Sequence, residues 1–296
     1  MAFKQLTSSN NIDNHPHEAI DTVLNCVIPY IQNGDDRNSV SLVYHNWYEL
    51  DCMTRKHVTV HMVYSLTPFH LHQRFPSIKS LTLKGSQDWF SVKKLSIDIN
   101  PWIQEISVSF KCLKLIHIRH MDVHDSNLEL LARARGRDLR VLKICKCKWF
   151  STDGLLHIGK YCNDLRTLCL KGNQFNNKDG EWLHELALQK MGIESLDFRY
   201  FDIHDVKDLT LLAKNCCRSL VSLKISEVVD LTNLVDVFSR CGNWVGSGRF
   251  GHGSNRFLIE RVMGQMGHAL IIGQMGHGSN GSGRVDPLNY AVFIHF

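Results

Sequence analysis

Apolar residues in the middle of the chain recur in one local pattern, apolar-x-x-apolar-x-apolar. It occurs in SIKSLTL (77–83), CLKLIHI (112–118), DLRVLKI (138–144), DLRTLCL (164–170), GIESLDF (192–198) and SLVSLKI (219–225). The alternating end of each segment predicts a short strand with one buried face. The first apolar positions, Ile78, Leu113, Leu139, Leu165, Ile193 and Leu220, are separated by 35, 26, 26, 28 and 27 residues. Intervals this regular mark a repeat unit of leucine-rich-repeat length. Between the strands lie DSNLELLARAR (125–135), STDGLLHIGKYC (151–162), NNKDGEWLHELALQ (176–189) and HDVKDLTLLAKNC (204–216). Each begins near a capping residue type and has apolar residues three and four apart, as a helix requires. Each unit is therefore a strand plus a helix, and stacked units form a curved solenoid. The longest interval contains an insertion, KGSQDWFSVKKLSIDINPW (84–102).

Ahead of the repeats the periodicity is helical. HEAIDTVLNCVIPYI (17–31), DRNSVSLVYHNWYEL (36–50) and DCMTRKHVTVHMVY (51–64) are expected as three short helices, with Pro29 disturbing the last turn of the first. Three short helices bury little by themselves, so part of their apolar surface meets the solenoid or a partner. Near Cys241 the pattern stops. Eleven of the 20 glycines fall in residues 243–296, with GHGSN and GQMGH each occurring twice. A glycine-repeat segment of this kind is expected to be disordered, because it buries too little surface to offset the entropy of ordering its backbone. Its expected origin is a truncated or misspliced gene model or a degenerate copy, leaving the last repeat uncapped. The fold expected is α/β: a helical domain over 17–60, a partial solenoid of about six repeats over 61–242, and a disordered tail over 243–296.

Composition narrows the function. The apolar fraction of 44% is globular, and the formal charge of +5 permits an anionic ligand. No dense Lys/Arg block calls for nucleic acid. No run of about 18 apolar residues predicts a membrane span. The first twenty residues lack the apolar core of a secretory signal. Ten scattered cysteines in such a chain fit a reducing compartment better than a disulfide framework. Cys145 and Cys147 would share a face on a strand, but no second ligand pair accompanies them, so no metal is expected. The His15/His17 and His70/His72 pairs read as surface. No nucleophile has a base beside it, and the expectation is a chain with no catalytic residues of its own.

Strand alternation assigns faces. With Leu81 and Leu83 inward, Thr82 and Lys84 line the concave surface. The same parity places there His117 and Arg119, Lys143 and Cys145, Cys169 and Lys171, Asp197 and Arg199, and Lys224 and Ser226. Six of these twelve are Lys or Arg and one is acidic, which reads either as a solvated polar face or as an anion site.

The stretch DDRNSVSLVYHNWYELD (35–51), followed by TRKHVTVHMVYSLTPFHLHQRFPSIKSLTLKG (54–85), resembles the F-box and first repeat of plant hormone-receptor F-box proteins. STDGLLHIGKYC, KDGEWLHELA and DLTLLAKNCCRSLVSLKISE are similar to the jasmonate-receptor branch, and the resemblance covers roughly residues 17–242. It implies a substrate-recruiting adaptor, found in the nucleus or also the cytoplasm, that docks through a Skp-type adaptor onto a cullin ubiquitin ligase. Val23, Val27, Leu42, Val43 and Trp47 are the candidate adaptor contacts, with Trp47 open to a packing role instead. The resemblance also implies an inositol polyphosphate on the concave strands, where Lys84 and Arg119 match basic residues of the family; with His117 and Lys143, placed on the same face by parity, they are the candidate inositol-phosphate or anion site. His120 and Thr82 stand where the family has further basic residues, which weakens that site. Trp89 and Phe90 are candidates for the wall of a hormone pocket. Asp88 lies near the family's carboxylate-binding arginine, where it would repel an acidic hormone. A jasmonate–isoleucine conjugate and a repressor protein are the partners implied if the chain is competent. The alternatives are an interaction module that binds the Skp-type adaptor without hormone or substrate, and an inositol-phosphate-binding solenoid with no ligase role.

Overall fold

The fold comes from a computed structural model that describes residues 22–23, 26–62, 67–86, 97–176, 181–189, 192–198, 206–216, 218–226, 244–251, 254–261, 270–274 and 292–293. Residues 22–23 and 26–27 are helical, and a 3-10 turn over Ile28–Tyr30 follows with Pro29 in its first positions. Helix α1 (Gly34–Ser41) starts at Asn33, whose side chain accepts from the Asp35 amide at 2.9 Å. Asp35 and Asp36 complement the positive end of its dipole.

Two expectations for this region are corrected. The single helix over 36–50 is two, because the chain turns at Leu42–Val43 and passes through extended Tyr44 before α2 (His45–Thr54). The helix over 51–64 ends at Thr54, and His57–His61 is strand β1. The run His-Val-Thr-Val-His alternates with period two and is rich in β-branched residues, and pairing with the next strand decides its state.

The solenoid follows. Helix α3 (Pro68–Arg74) leads to β2 (Ser80–Lys84), α4 (Asn100–Val108) to β3 (Leu115–Arg119), and α5 (Asp125–Arg135) to β4 (Val141–Cys145). After β5 (Lys148–Ser151) come α6 (Thr152–Tyr161), β6 (Thr167–Cys169), β7 (Gln174–Asn176), α7 (Trp182–Leu188), β8 (Ser195–Phe198), α8 (Val206–Cys216) and β9 (Ser222–Ser226). The six strands expected from the repeat are all present, one turn of sequence later than their first apolar residue. They lie parallel in the order β1-β2-β3-β4-β6-β8-β9, while β5 and β7 pair separately.

Alternate strand residues (Leu81 and Leu83, Ile116 and Ile118, Leu142 and Ile144, Leu196 and Phe198) are buried against the helices. Each side chain so buried is worth about 1.5–3 kcal/mol relative to exposure. Polar hooks hold successive units in register. The buried Asn173 accepts from the Cys147 amide at 2.9 Å and donates to the Ile144 carbonyl at 2.8 Å. Asp125 accepts from the Ser151 amide and hydroxyl at 2.6 and 2.7 Å. These bonds satisfy backbone groups that turn away from the ladder.

Within residues 243–296 the described segments are strands β10 (Trp244–Gly251), β11 (Ser254–Arg261), β12 (Leu270–Gln274) and β13 (Val292–Phe293). Strand β11 runs antiparallel on β9, and the others extend outward from it. An open parallel edge offers unpaired N–H and C=O groups, and this segment supplies their partners. No helix among the described residues is long and apolar enough to cross a membrane.

Candidate functional site

Two surfaces carry the candidate residues. The first is the helical N-terminal part. Leu42 and Val43, in the turn between α1 and α2, are 84% and 69% exposed, and Val23 and Val27 are exposed as well. Tyr30, Tyr44, Tyr48 and Met53 add apolar surface in the same region. Trp47 differs from the other candidates: it is half-buried and packs edge-on against Tyr44, with ring centroids 5.9 Å apart. Its indole N–H is buried and has no hydrogen-bond partner among the described residues. These residues put an unusual amount of apolar surface in water on a short segment.

That face rests on a charged cluster that the sequence reading missed. Asp51 of α2 is buried and receives the Arg37 guanidinium of α1, while Arg55 lays its Nε and Nη2 across both carboxylate oxygens at 2.7 to 3.1 Å. Arg37 also donates to Thr54, and Arg55 to Asn38 at 2.8 Å. Arg55 lies 5.1 Å over the ring of Phe75, which belongs to the first repeat. The cluster ties α1, α2 and the solenoid together. The Asp51–Arg55 spacing of four on a helix was a legible signal; the Arg37 partner, fourteen residues away, was not.

The second surface is the concave face, and the strand register fixes its rows. One row runs Thr59, Thr82, His117, Lys143, Cys169, Asp197, Lys224, each residue opposite the next. The adjoining row runs His61, Lys84, Arg119, Cys145. Neighbouring strands lie about 4.8 Å apart, so Lys84 and Arg119 stand side by side with Lys143 diagonal to them. Lys84, His117, Arg119 and Lys143 are all half-exposed, as their parity predicts. Among the described residues, no ion pair engages Lys84, Arg119 or Lys143. Three unneutralised cations on one face suit a polyanion.

His120 follows Arg119 with a positive φ of 52°. Burial lowers its pKa first, and Lys146 and Arg119 push it further down, so the imidazole is neutral at pH 7. It adds no charge to the face. Trp89 and Phe90 lie outside the described residues, as does Arg199.

The cysteine pair singled out in the sequence does not share a face. Strand β4 ends at Cys145, Lys146 takes a φ of 55°, and Cys147 turns into the core. The neighbour of Cys145 is Cys169 on β6, with sulfurs 3.7 Å apart. Among the described residues, no group of three or more His, Cys, Asp or Glu could hold a metal ion.

A short helical N-terminal part with exposed apolar residues, followed by a strand–helix solenoid, is the architecture of an F-box/leucine-rich-repeat protein, and the comparisons agree. A family model described as F-box matches residues 16–57. Coronatine-insensitive protein 1 of Arabidopsis thaliana is 39% identical over 236 residues, covering 76% of this chain and 38% of that protein. Coronatine-insensitive protein homolog 1a of Oryza sativa subsp. indica is 40% identical over 229 residues, covering 74% and 37%. GRR1-like protein 1 of Arabidopsis thaliana is 34% identical over 239 residues, covering 77% and 40%. The chain is an F-box/leucine-rich-repeat protein related to the coronatine-insensitive proteins, and it spans about two fifths of the length of these relatives.

Proposed function

We propose that the chain is a non-catalytic, substrate-recruiting subunit of a cullin-type ubiquitin ligase, held through its F-box by a Skp-type adaptor and working in jasmonate signalling in the nucleus. The observation that supports this reading is the exposure of Leu42 and Val43 on the turn between two braced helices, together with the exposure of Val23 and Val27. Apolar anchors with a polar rim are what a helix-in-groove interface uses. On the concave face, Lys84, Arg119 and Lys143, with His117 beside them, would hold an inositol polyphosphate through charge-assisted hydrogen bonds. The neutral His120 and uncharged Thr82 make that grip weaker than a fully basic face would give.

A second reading, adaptor binding with no hormone or repressor capture, is favoured by Asp88 in the insertion, whose charge opposes an acidic hormone conjugate. One experiment separates the two. The full chain is co-purified with a Skp-type adaptor and offered a labelled repressor peptide with and without a jasmonate–isoleucine conjugate. Hormone-dependent capture supports the receptor reading, capture of the adaptor alone the second, and no adaptor capture overturns both.

A further inference from the structure

The concave face carries two thiols that neither the adaptor face nor the basic row uses. Cys145 ends β4 and Cys169 ends β6, on adjacent parallel strands, with sulfurs 3.7 Å apart. Both belong to the solvent-facing rows, between Lys143 and Asp197 on one row and next to Arg119 on the other. We propose that Cys145 and Cys169 form a dithiol site that a peroxide oxidises to a disulfide joining β4 to β6.

The geometry separates this pair from the other described cysteines. Cys147, Cys162 and Cys216 are in the core, where a peroxide has no access, and burial pushes the thiols of Cys147 and Cys162 up to about 12. Cys26 and Cys112 are exposed and Cys52 is half-exposed, but no cysteine contact joins any of the three to another described cysteine. Cys145 is half-exposed and Cys169 is buried behind it at 3.7 Å, so the first is the point of attack and the second, which needs no access to peroxide, the resolving thiol. The roles have a chemical basis. The Cys169 thiol donates to the Cys145 sulfur and lowers its pKa, burial opposes this, and His117 on β3 again favours the thiolate. Cys169, holding the proton, is raised. A thiolate is the nucleophile that a peroxide requires.

The reaction balances as follows. The Cys145 thiolate attacks one peroxide oxygen, the O–O bond breaks, and hydroxide leaves, giving the Cys145 sulfenic acid. Cys169 gives up its proton to that hydroxide, forming water, and its sulfur attacks the sulfenic sulfur. The S–S bond forms, the S–O bond breaks, and a second hydroxide departs. Two sulfurs are oxidised by one electron pair in total, and the peroxide is reduced. Bond formation brings the sulfurs from 3.7 Å to about 2.05 Å. The pair is diagonal across its strands, since Cys169 is in register with Lys143. Closure therefore draws the end of β6 along β4. With three residues, β6 is the shortest strand of the parallel array and has the fewest ladder bonds to resist.

The test uses the full chain with Cys26→Ser and Cys112→Ser to prevent exchange through the exposed thiols. It is treated with hydrogen peroxide, alkylated, cut after Lys and Arg, and analysed by mass spectrometry. Cys145 and Cys169 then fall in separate peptides, 144–146 and 167–171, and Cys147 in a third. The expected result is a 144–146/167–171 species two hydrogens lighter than the sum, lost on reduction with dithiothreitol. In the Cys169→Ser chain, Cys145 is expected to persist as a sulfenic acid captured by dimedone. A second readout needs no variant at these positions: phenylarsine oxide, which bridges two close thiols, should protect both from alkylation. Separate alkylation of both cysteines after peroxide, or linkage of Cys145 chiefly to another cysteine or another chain, overturns the proposal.

Discussion

Asp51 and Arg37 meet across the two helices of the docking face, and their ion pair is sealed from water with side chains 1% and 8% exposed. Arg55 closes on the same carboxylate at 2.7 Å and joins the pair to the first repeat. Removing the shared anion strands two buried cations. Asp51→Asn is therefore expected to cost about 3–5 kcal/mol, the range for breaking a buried pair on one side. A lower urea midpoint with weakened adaptor binding is the outcome; an unchanged midpoint would mean that the arginines find other partners.

Gly85 lies where the chain leaves β2, and a Cβ there would sit 2.0 Å from the carbonyl oxygen of His120 in the next repeat. The obstacle is backbone on both sides, so a side chain forces two repeats apart. Gly85→Ala is expected to destabilise by roughly 1–3 kcal/mol, as overpacking does. Gly34→Ala is the control, since nothing lies within 4 Å of a Cβ at that position. Thermal unfolding of the two variants side by side should separate them clearly.

The repeat architecture is readable in the sequence because one physical constraint acts again and again: each strand must bury alternate residues, and each helix must cover them. That constraint placed α5 over Asp125–Arg135 and put Lys84, His117, Arg119 and Lys143 on the concave face. It is silent wherever pairing between distant segments decides. Strand β1 was read as helix because its hydrophobic residues follow a helix directly, and only its partner β2 reveals it. Helices α3 and α4 went unread, although Thr67-Pro68 and Asn100-Pro101 are start signals. The positive φ at Lys146, which sends Cys147 inward and leaves Cys145 facing Cys169, has no sequence signature at a lysine.

His184 on α7 and Asp208 on α8 are hydrogen-bonded at 2.9 Å, and that bond raises the histidine pKa above 6.5. A raised folded-state value means that the contact stabilises fully below the unfolded value and is lost as pH rises through the folded one. His184 is solvent-exposed and Asp208 only half-buried, so the effect is small and screened by salt. An NMR titration should show the His184 ring titrating above the ordinary value, and Asp208→Asn should bring it back.

On the concave face, Lys84 and Arg119 occupy neighbouring register positions. Lys84→Ala with Arg119→Ala is expected to weaken inositol hexakisphosphate binding tenfold or more, since each charge-assisted contact is worth about 1.5–3 kcal/mol. Lys160→Ala, exposed on α6, should leave it unchanged. Equal effects of the two changes, measured by calorimetry, would reduce the face to a solvated polar surface.

The most direct test of the docking face is the affinity of the full chain for a Skp-type adaptor with Leu42→Asp and Val43→Asp. Both side chains stand in water, so stability should change by no more than about 0.5 kcal/mol. Charges placed at apolar anchors should weaken binding at least tenfold. Loss of affinity with unchanged unfolding is the predicted result, and wild-type affinity in the double variant would contradict the assignment of this turn as the handle of the ligase.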